Sequence, residues 1–198
     1  MKSAILSLLL VAVSAKLTFF STCPTYTESS VSMSSLVNKW YKTMRDNFNP
    51  TFIQSDCATQ EYVATSDSSI HDVYWRGMSA IYIFTEFYGN ETGQIKCNSY
   101  GKCFINFWTW LNTDMNQGAN YYILGISSGS YFVQYQCDEW FLGIMMDQQV
   151  ALLTTTSSAS SSLQTAGETI TDNKLFDYNW EKNVVENSQS SCTYSWRG

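Results

Sequence analysis

Apolar and polar positions alternate in short runs along much of the chain, and the runs recur at fairly even spacing. "YFVQY" and "INFWTW" show the period of two expected of a strand with two different faces, with Phe107 out of step in the second. Runs of this kind predict strands at roughly 40–46, 58–65, 71–77, 80–88, 102–110, 120–127 and 130–137, with a long or broken one at 140–156. Turn-forming clusters separate them: "FNPTF", "SDSS", "GNETG", "NQGAN" and "SSGS". Eight strands joined mostly by hairpin-length loops imply an all-β, up-and-down antiparallel barrel, with a two-sheet sandwich as the alternative.

The pattern changes at both ends. After the last strand, "TSSASSSLQTAGETI" has the composition of a Ser/Thr linker, yet Leu163, Ala166 and Ile170 recur at helical spacing. They predict a C-terminal helix beginning near 160–162 and packed outside the barrel. The tail "LFDYNWEKNVVENSQSSC" then returns Cys192 to the barrel wall. At the other end, Lys2 precedes the apolar run "AILSLLLVAV", which closes on the small residues "VSA". This reads as a secretory signal peptide over 1–15, followed by an extended arm over 16–37 and the barrel with its helix and tethered tail over 38–198. The leader is short for a bilayer, and no other stretch approaches that length, so no integral membrane span is expected. The destination implied is the extracellular space or the lumen of the secretory pathway.

Composition sharpens this picture. Aromatic residues make up 16% of the 198 residues against only two prolines, as suits strands and not a disordered chain. The net charge of −6 with scattered cations leaves no basic face for nucleic acid. Six cysteines lie beyond the leader and none is spaced CxxC, which favours disulfides over metal ligands; with His71 the only histidine, no metal site is expected. Six cysteines allow fifteen pairings. Only "CNSYGKC", Cys97 to Cys103, reads as a local bridge closing a turn. Asn90-Glu91-Thr92 is an N-glycosylation sequon on a predicted loop, making Asn90 a candidate acceptor.

A cysteine-proline after the leader, then "NKWY", then a cysteine some way on resembles the lipocalins, in the order seen in the apolipoprotein D and bilin-binding branch. "NYYILGISSGSYFVQYQ" looks like the paired sixth and seventh strands of that barrel. A narrower resemblance lies within the same superfamily. "NKWYKTMRDNFNPTFIQSDCATQEY", "VYWRG", "YYILG" and "YFVQY" are similar to segments of the lipocalin domain of violaxanthin de-epoxidases, and "NPTF" (49–52) is the most specific of them. The resemblance implies three disulfides: Cys57 to Cys192, Cys23 to Cys137, and Cys97 to Cys103. It also implies that Trp40 plugs the closed end of the barrel. The sequence departs from the lipocalin pattern twice. Asn38 replaces a glycine, and Thr154 to Thr156 stand where an arginine usually covers the tryptophan, so the plug is expected without its cation–π cover unless Arg45, Arg76 or Arg197 substitutes.

Chemistry is harder to find. De-epoxidation needs a proton donor beside the epoxide and a reductant, ascorbate in that family. The segment "WRGMSAIYIF", where the family carries its acid–base aspartate, has no carboxylate, and "CATQEYV" lacks the family's histidines. Asp56, Glu61 and Glu86 are the remaining candidates, none at the family's position, with Asp56 expected as a solvated or capping carboxylate. His71-Asp72 lies in no nucleophile elbow and reads as a surface histidine on a strand. No catalytic residue and no cofactor are assigned. What remains is a container for one small hydrophobic molecule: a fatty acid, sterol, retinoid, carotenoid or other isoprenoid. A de-epoxidase-like oxidoreductase using ascorbate is the alternative. Alternation nominates Tyr74, Tyr82, Phe84, Phe107, Trp110, Tyr122 and Tyr131 as lining residues, although a register error of one turns a strand's whole set outward. Oligomeric state is not legible.

Overall fold

The computed structural model describes residues 18–19, 23, 30–46, 55–81, 85–106, 119–140 and 145–194. In chain order the elements are β1 (Thr18–Phe19), α1 (Met33–Leu36), β2 (Asn38–Asp46), β3 (Ser55–Ala64), β4 (His71–Ile81), β5 (Thr85–Cys97) and β6 (Lys102–Asn106). They continue with β7 (Ala119–Ser127), β8 (Tyr131–Trp140), β9 (Met145–Thr154), α2 (Ser161–Lys174), α3 (Trp180–Asn183) and β10 (Val184–Glu186). Each strand from β2 to β9 pairs antiparallel with the next, and β9 returns to pair with β2, so these strands close an eight-stranded up-and-down barrel. Closure leaves no open edge along the wall. The arm contributes β1 against β9 and the one-turn helix α1, the latter not expected from the sequence.

The barrel has an inner and an outer apolar cluster because most strands bury both faces. The inner cluster includes Leu36, Trp40, Tyr62, Val73, Ile95, Tyr121, Ile123, Phe132 and Leu153. The outer cluster joins Met44, Leu124, Val133, Tyr135, Val150 and Leu152 on the wall to Leu163 and Ile170 of α2 and to Leu175, Tyr178 and Trp180 beyond it. Helix α2 presents Gly167 to the wall, where an added Cβ would lie 3.0 Å from the Trp180 ring and 3.4 Å from Leu152. At Gly125 on β7 an added Cβ would sit 2.9 Å from Ile170. Small residues therefore set how closely the helix approaches the sheet.

Three bulges re-aim the wall: between Lys42 and Met44, between Asp56 and Thr59, and between Ile123 and Gly125. Cys57, in the second, adopts φ 57° and bonds Cys192; its N–H donates to Ser188 O at 2.8 Å. Cys23 joins Cys137, and Cys97 joins Cys103 across the β5–β6 turn, where Gly101 has φ 85°. Asn98 Oδ1 holds that turn by accepting from the N–H groups of Tyr100 and Lys102, each at 3.0 Å.

Two expected boundaries are corrected. "GNETG" is not a turn: β4 and β5 pair without interruption from His71↔Ile95 to Ile81↔Thr85, with Gly89 opposite Gly77. β4 ends at Ile81 and β5 begins at Thr85, so the expected strand at 80–88 straddles two strands, and Asn90 lies within β5 opposite Arg76 instead of on a loop. Eleven consecutive cross-strand pairs outweigh the local turn preference of Gly and Asn. Likewise 140–156 is not one strand: Trp140 ends β8, and β9 begins at Met145.

Candidate ligand-binding barrel

Directly opposed residues of an antiparallel pair share a face, so the inner cluster fixes the direction of every neighbouring side chain. Trp40 is fully buried on the inner face and forms an apolar floor beside α1. Its Nε1–H donates to Leu36 O of α1 at 2.8 Å, and its ring meets Phe132 edge-on with centroids 4.9 Å apart. Phe132 also takes an edge contact from Tyr62 at 6.1 Å. Helix α1 lies under this floor, and His71 is tied to it: Nε2 approaches Met33 O at 2.8 Å while Nδ1 faces Ile70 O at 2.9 Å. His71 is 3% exposed, which corrects the surface position expected for it, because β4 begins at the covered end of the barrel opposite Ile95.

Above the floor the inner face turns polar. Gln60 pairs with Trp40 and so points inward. Its Oε1 accepts from Tyr62 OH at 2.6 Å, its Nε2 donates to Gln134 Oε1 at 3.1 Å, and the Tyr62 and Tyr121 hydroxyls lie 3.0 Å apart. Burial pushes the pKa values of Tyr62 and Tyr121 well up, so both hydroxyls stay neutral and keep their protons for bonding. Two cations join this belt. Lys42 lies opposite Leu153 and Arg45 opposite Ala151, both partners belonging to the inner cluster. Arg45 Nε donates to Asn187 Oδ1 at 2.8 Å. Burial first, and the Arg45 charge second, pull Lys42 down to about 8.

The nominated residues divide. Tyr82, Phe84, Phe107 and Trp110 lie outside the described residues, as do 1–15, "NPTF" and Arg197. Tyr74 is corrected to the outer face, because Val73 points inward and alternation sends its neighbour the other way, opposite Glu61. Tyr122 and Tyr131 pack with the outer cluster, and Tyr122 lies 5.8 Å from Tyr135 with ring planes tilted 30°. Their inward neighbours Tyr121 and Phe132 face the interior instead. The error is one residue of register. Asp56 and Glu61 sit at outer positions, opposite Met78 and Tyr74; Glu86 lies on β5. Thr154, in the place of the usual arginine, is buried and donates to Thr156 O at 2.6 Å. The inner face carries Lys42 and Arg45, and the register also puts the positions of Glu91, Asp138 and Asp147 on that face. Sequence reading named Arg45 only as a possible cover for Trp40 and did not nominate Lys42, Gln60 or Gln134; the spacing Trp40-x-Lys42 already put the lysine on the tryptophan's face.

No family model matches the chain. No curated protein matches it either. Solved structures do match. Insecticyanin from the tobacco hornworm Manduca sexta aligns with a TM-score of 0.63 at 15% identity, over 88% of this chain and 91% of that one. Lobster apocrustacyanin A1 gives 0.60 at 16% identity, over 85% and 91%. Japanin from Rhipicephalus appendiculatus, solved bound to cholesterol, gives 0.52 at 8% identity, over 79% and 97%. With the closed eight-stranded barrel and the helix outside it, the fold is that of a lipocalin. Among the described residues no helix is long and apolar enough to cross a membrane.

Proposed function

We propose that the protein is a secretory-pathway lipocalin that binds and carries one small hydrophobic molecule inside its barrel. The observation that carries this reading is the inner face itself: an apolar floor on Trp40 and Phe132, with a belt of hydrogen-bonding groups above it on Gln60, Tyr62, Tyr121 and Gln134. An apolar body with few polar contacts is the ligand such a surface suits. Japanin, with the same fold, holds cholesterol, which supports the class of ligand. Disulfides spanning 114 and 135 residues favour an oxidising compartment, in keeping with the leader at 1–15. The similarity of "NKWYKTMRDNFNPTF" to de-epoxidase lipocalin domains is read here as kinship of the container, not of the reaction.

The test is to secrete the full chain from a eukaryotic host, extract it with organic solvent and identify what co-purifies by mass spectrometry. A stoichiometric apolar compound is expected. An empty protein whose tryptophan emission ignores a panel of fatty acids, sterols and isoprenoids would overturn the reading.

A further inference from the structure

We propose that the ligand is an anionic amphiphile, a long apolar molecule ending in a carboxylate, and that it binds head-down with its acid group between Lys42 and Arg45 just above the Trp40 floor. The proposal rests on the carrier reading and adds the ligand's charge and its direction in the barrel.

Three observations converge. The first is sign. The chain is acidic overall at −6, yet two cations, Lys42 and Arg45, stand side by side on one stretch of the inner face opposite the apolar Leu153 and Ala151. Cations elsewhere on the wall alternate outward: Lys39 lies opposite Glu61, and Lys102 opposite Tyr122 of the outer cluster, over whose ring it sits at 5.9 Å. The second is the state of Lys42. It is partly buried, no described side chain accepts a hydrogen bond from its ammonium, and its nearest strong electrostatic neighbour is a second cation. Two like charges on one wall of a low-dielectric interior repel, and a neutral sterol or hydrocarbon entering the barrel would strip their remaining water without replacing it. A carboxylate answers both charges, with charge-assisted bonds from each. The third is preparation. Arg45 is held from behind by Asn187 Oδ1 and by the Asp46 carbonyl, while Asn187 Nδ2 donates to Lys42 O at 2.8 Å. One buried asparagine thus fixes the guanidinium and the backbone of the lysine together, which makes Asn187 a positioning residue. The neutral hydroxyls of Tyr62 and Tyr121 stand in the same belt.

The orientation follows from chain geometry. Lys42 is two residues beyond Trp40, about 7 Å along the strand, so the acid group lies deep and the apolar tail runs toward the open end.

The experiment uses the full disulfide-bonded chain with cis-parinaric acid, its methyl ester and its alcohol, read by ligand fluorescence. The acid is expected to bind at least roughly tenfold more tightly than the ester or alcohol, the scale of one charge-assisted contact. Lys42→Gln should collapse that difference by weakening the acid while the ester binds at least as tightly as before, and Lys42→Arg should keep most of it; retained ester binding shows that the Gln variant is folded. Equal binding of acid and ester by the native chain would overturn the charge assignment and leave the carrier reading standing. A Lys42→Gln variant that loses both ligands equally, or neither, would also overturn it. Failure of all three probes to bind the native chain would overturn the charge assignment, and the carrier reading would fall with it only if sterols and isoprenoids also failed to bind.

Discussion

Lys42 and Asp46 lie four residues apart on the same strand and meet opposite fates. Asp46 points outward into the cluster beneath α2 and is 4% exposed, with the Tyr178 hydroxyl donating to its carboxylate. Burial first, and the neighbouring Asp46 second, drive the Tyr178 hydroxyl far above its ordinary pKa, so it keeps its proton as a donor at neutral pH. Lys42 points inward, beside another cation, and no described side chain answers it. The outer charge is finished by the chain itself. The inner one is not, and the contrast separates a charge kept for architecture from one kept for a ligand.

The largest expected effect removes the floor on which the inner region is built. Trp40→Ala should cost about 3–5 kcal/mol of stability in urea or thermal unfolding, because it deletes a fully buried indole and its bond to α1. Next comes the outer charge. Tyr178→Phe should cost about 2–3 kcal/mol, since a buried carboxylate loses a donor. The inner charge should respond with the opposite sign: Lys42→Met is expected to stabilise the ligand-free protein by about 1–3 kcal/mol at pH 7, measured by the same unfolding curves.

The pH dependence sharpens that reversal. Folding lowers Lys42 from 10.5 to about 8, so between those values the unfolded chain holds the proton that the folded chain has released. Native stability therefore rises with pH across that window relative to Lys42→Met, and the advantage of the variant shrinks. A variant advantage that stays flat from pH 7 to 10 would contradict the desolvated lysine. The buried tyrosines act the other way: their raised values hold stability below pH 10 that is lost only at higher pH, equally in both chains. The smallest effect concerns the contact between helix and wall. Gly167→Ala should cost about 1–2 kcal/mol, because its Cβ meets a rigid indole and not a flexible chain end.

How much of this was legible follows from what each segment faces. The strand count, the barrel and the helix could be read because alternation and turn clusters recur along most of the chain. The register of β7 and β8 could not. Both of their faces are buried, one over the floor and one under α2, so "YYILG" looks apolar in either direction and the choice between Tyr121 and Tyr122 leaves no trace in hydropathy. "GNETG" misled for a different reason: its residues favour turns locally, and only the partner strand, with Gly77 facing Gly89, makes them extended. Cys97 and Cys103 could be paired from their spacing around a turn, whereas the other four cysteines carried their partners only through resemblance. Lys42 was the most readable of the residues missed, since its spacing from Trp40 gives its face, but a lone lysine in a polar stretch has the hydropathy of a solvated wall position.

The tail has a consequence for how the molecule assembles. Residues 184–189 run along the second half of β2, where Asn187 N–H donates to Thr43 O, and reach β3 through the bond from Cys57 to Ser188. The hairpins β3–β4, β4–β5, β7–β8 and β8–β9 are local and can zip early, whereas this seam must wait for partners more than a hundred residues apart. Until then β2 presents an unpaired edge to other copies of the chain. Formation of the Cys57–Cys192 bond ties the tail to β3 beside this seam, so one covalent link also shuts the edge of β2 against neighbouring copies.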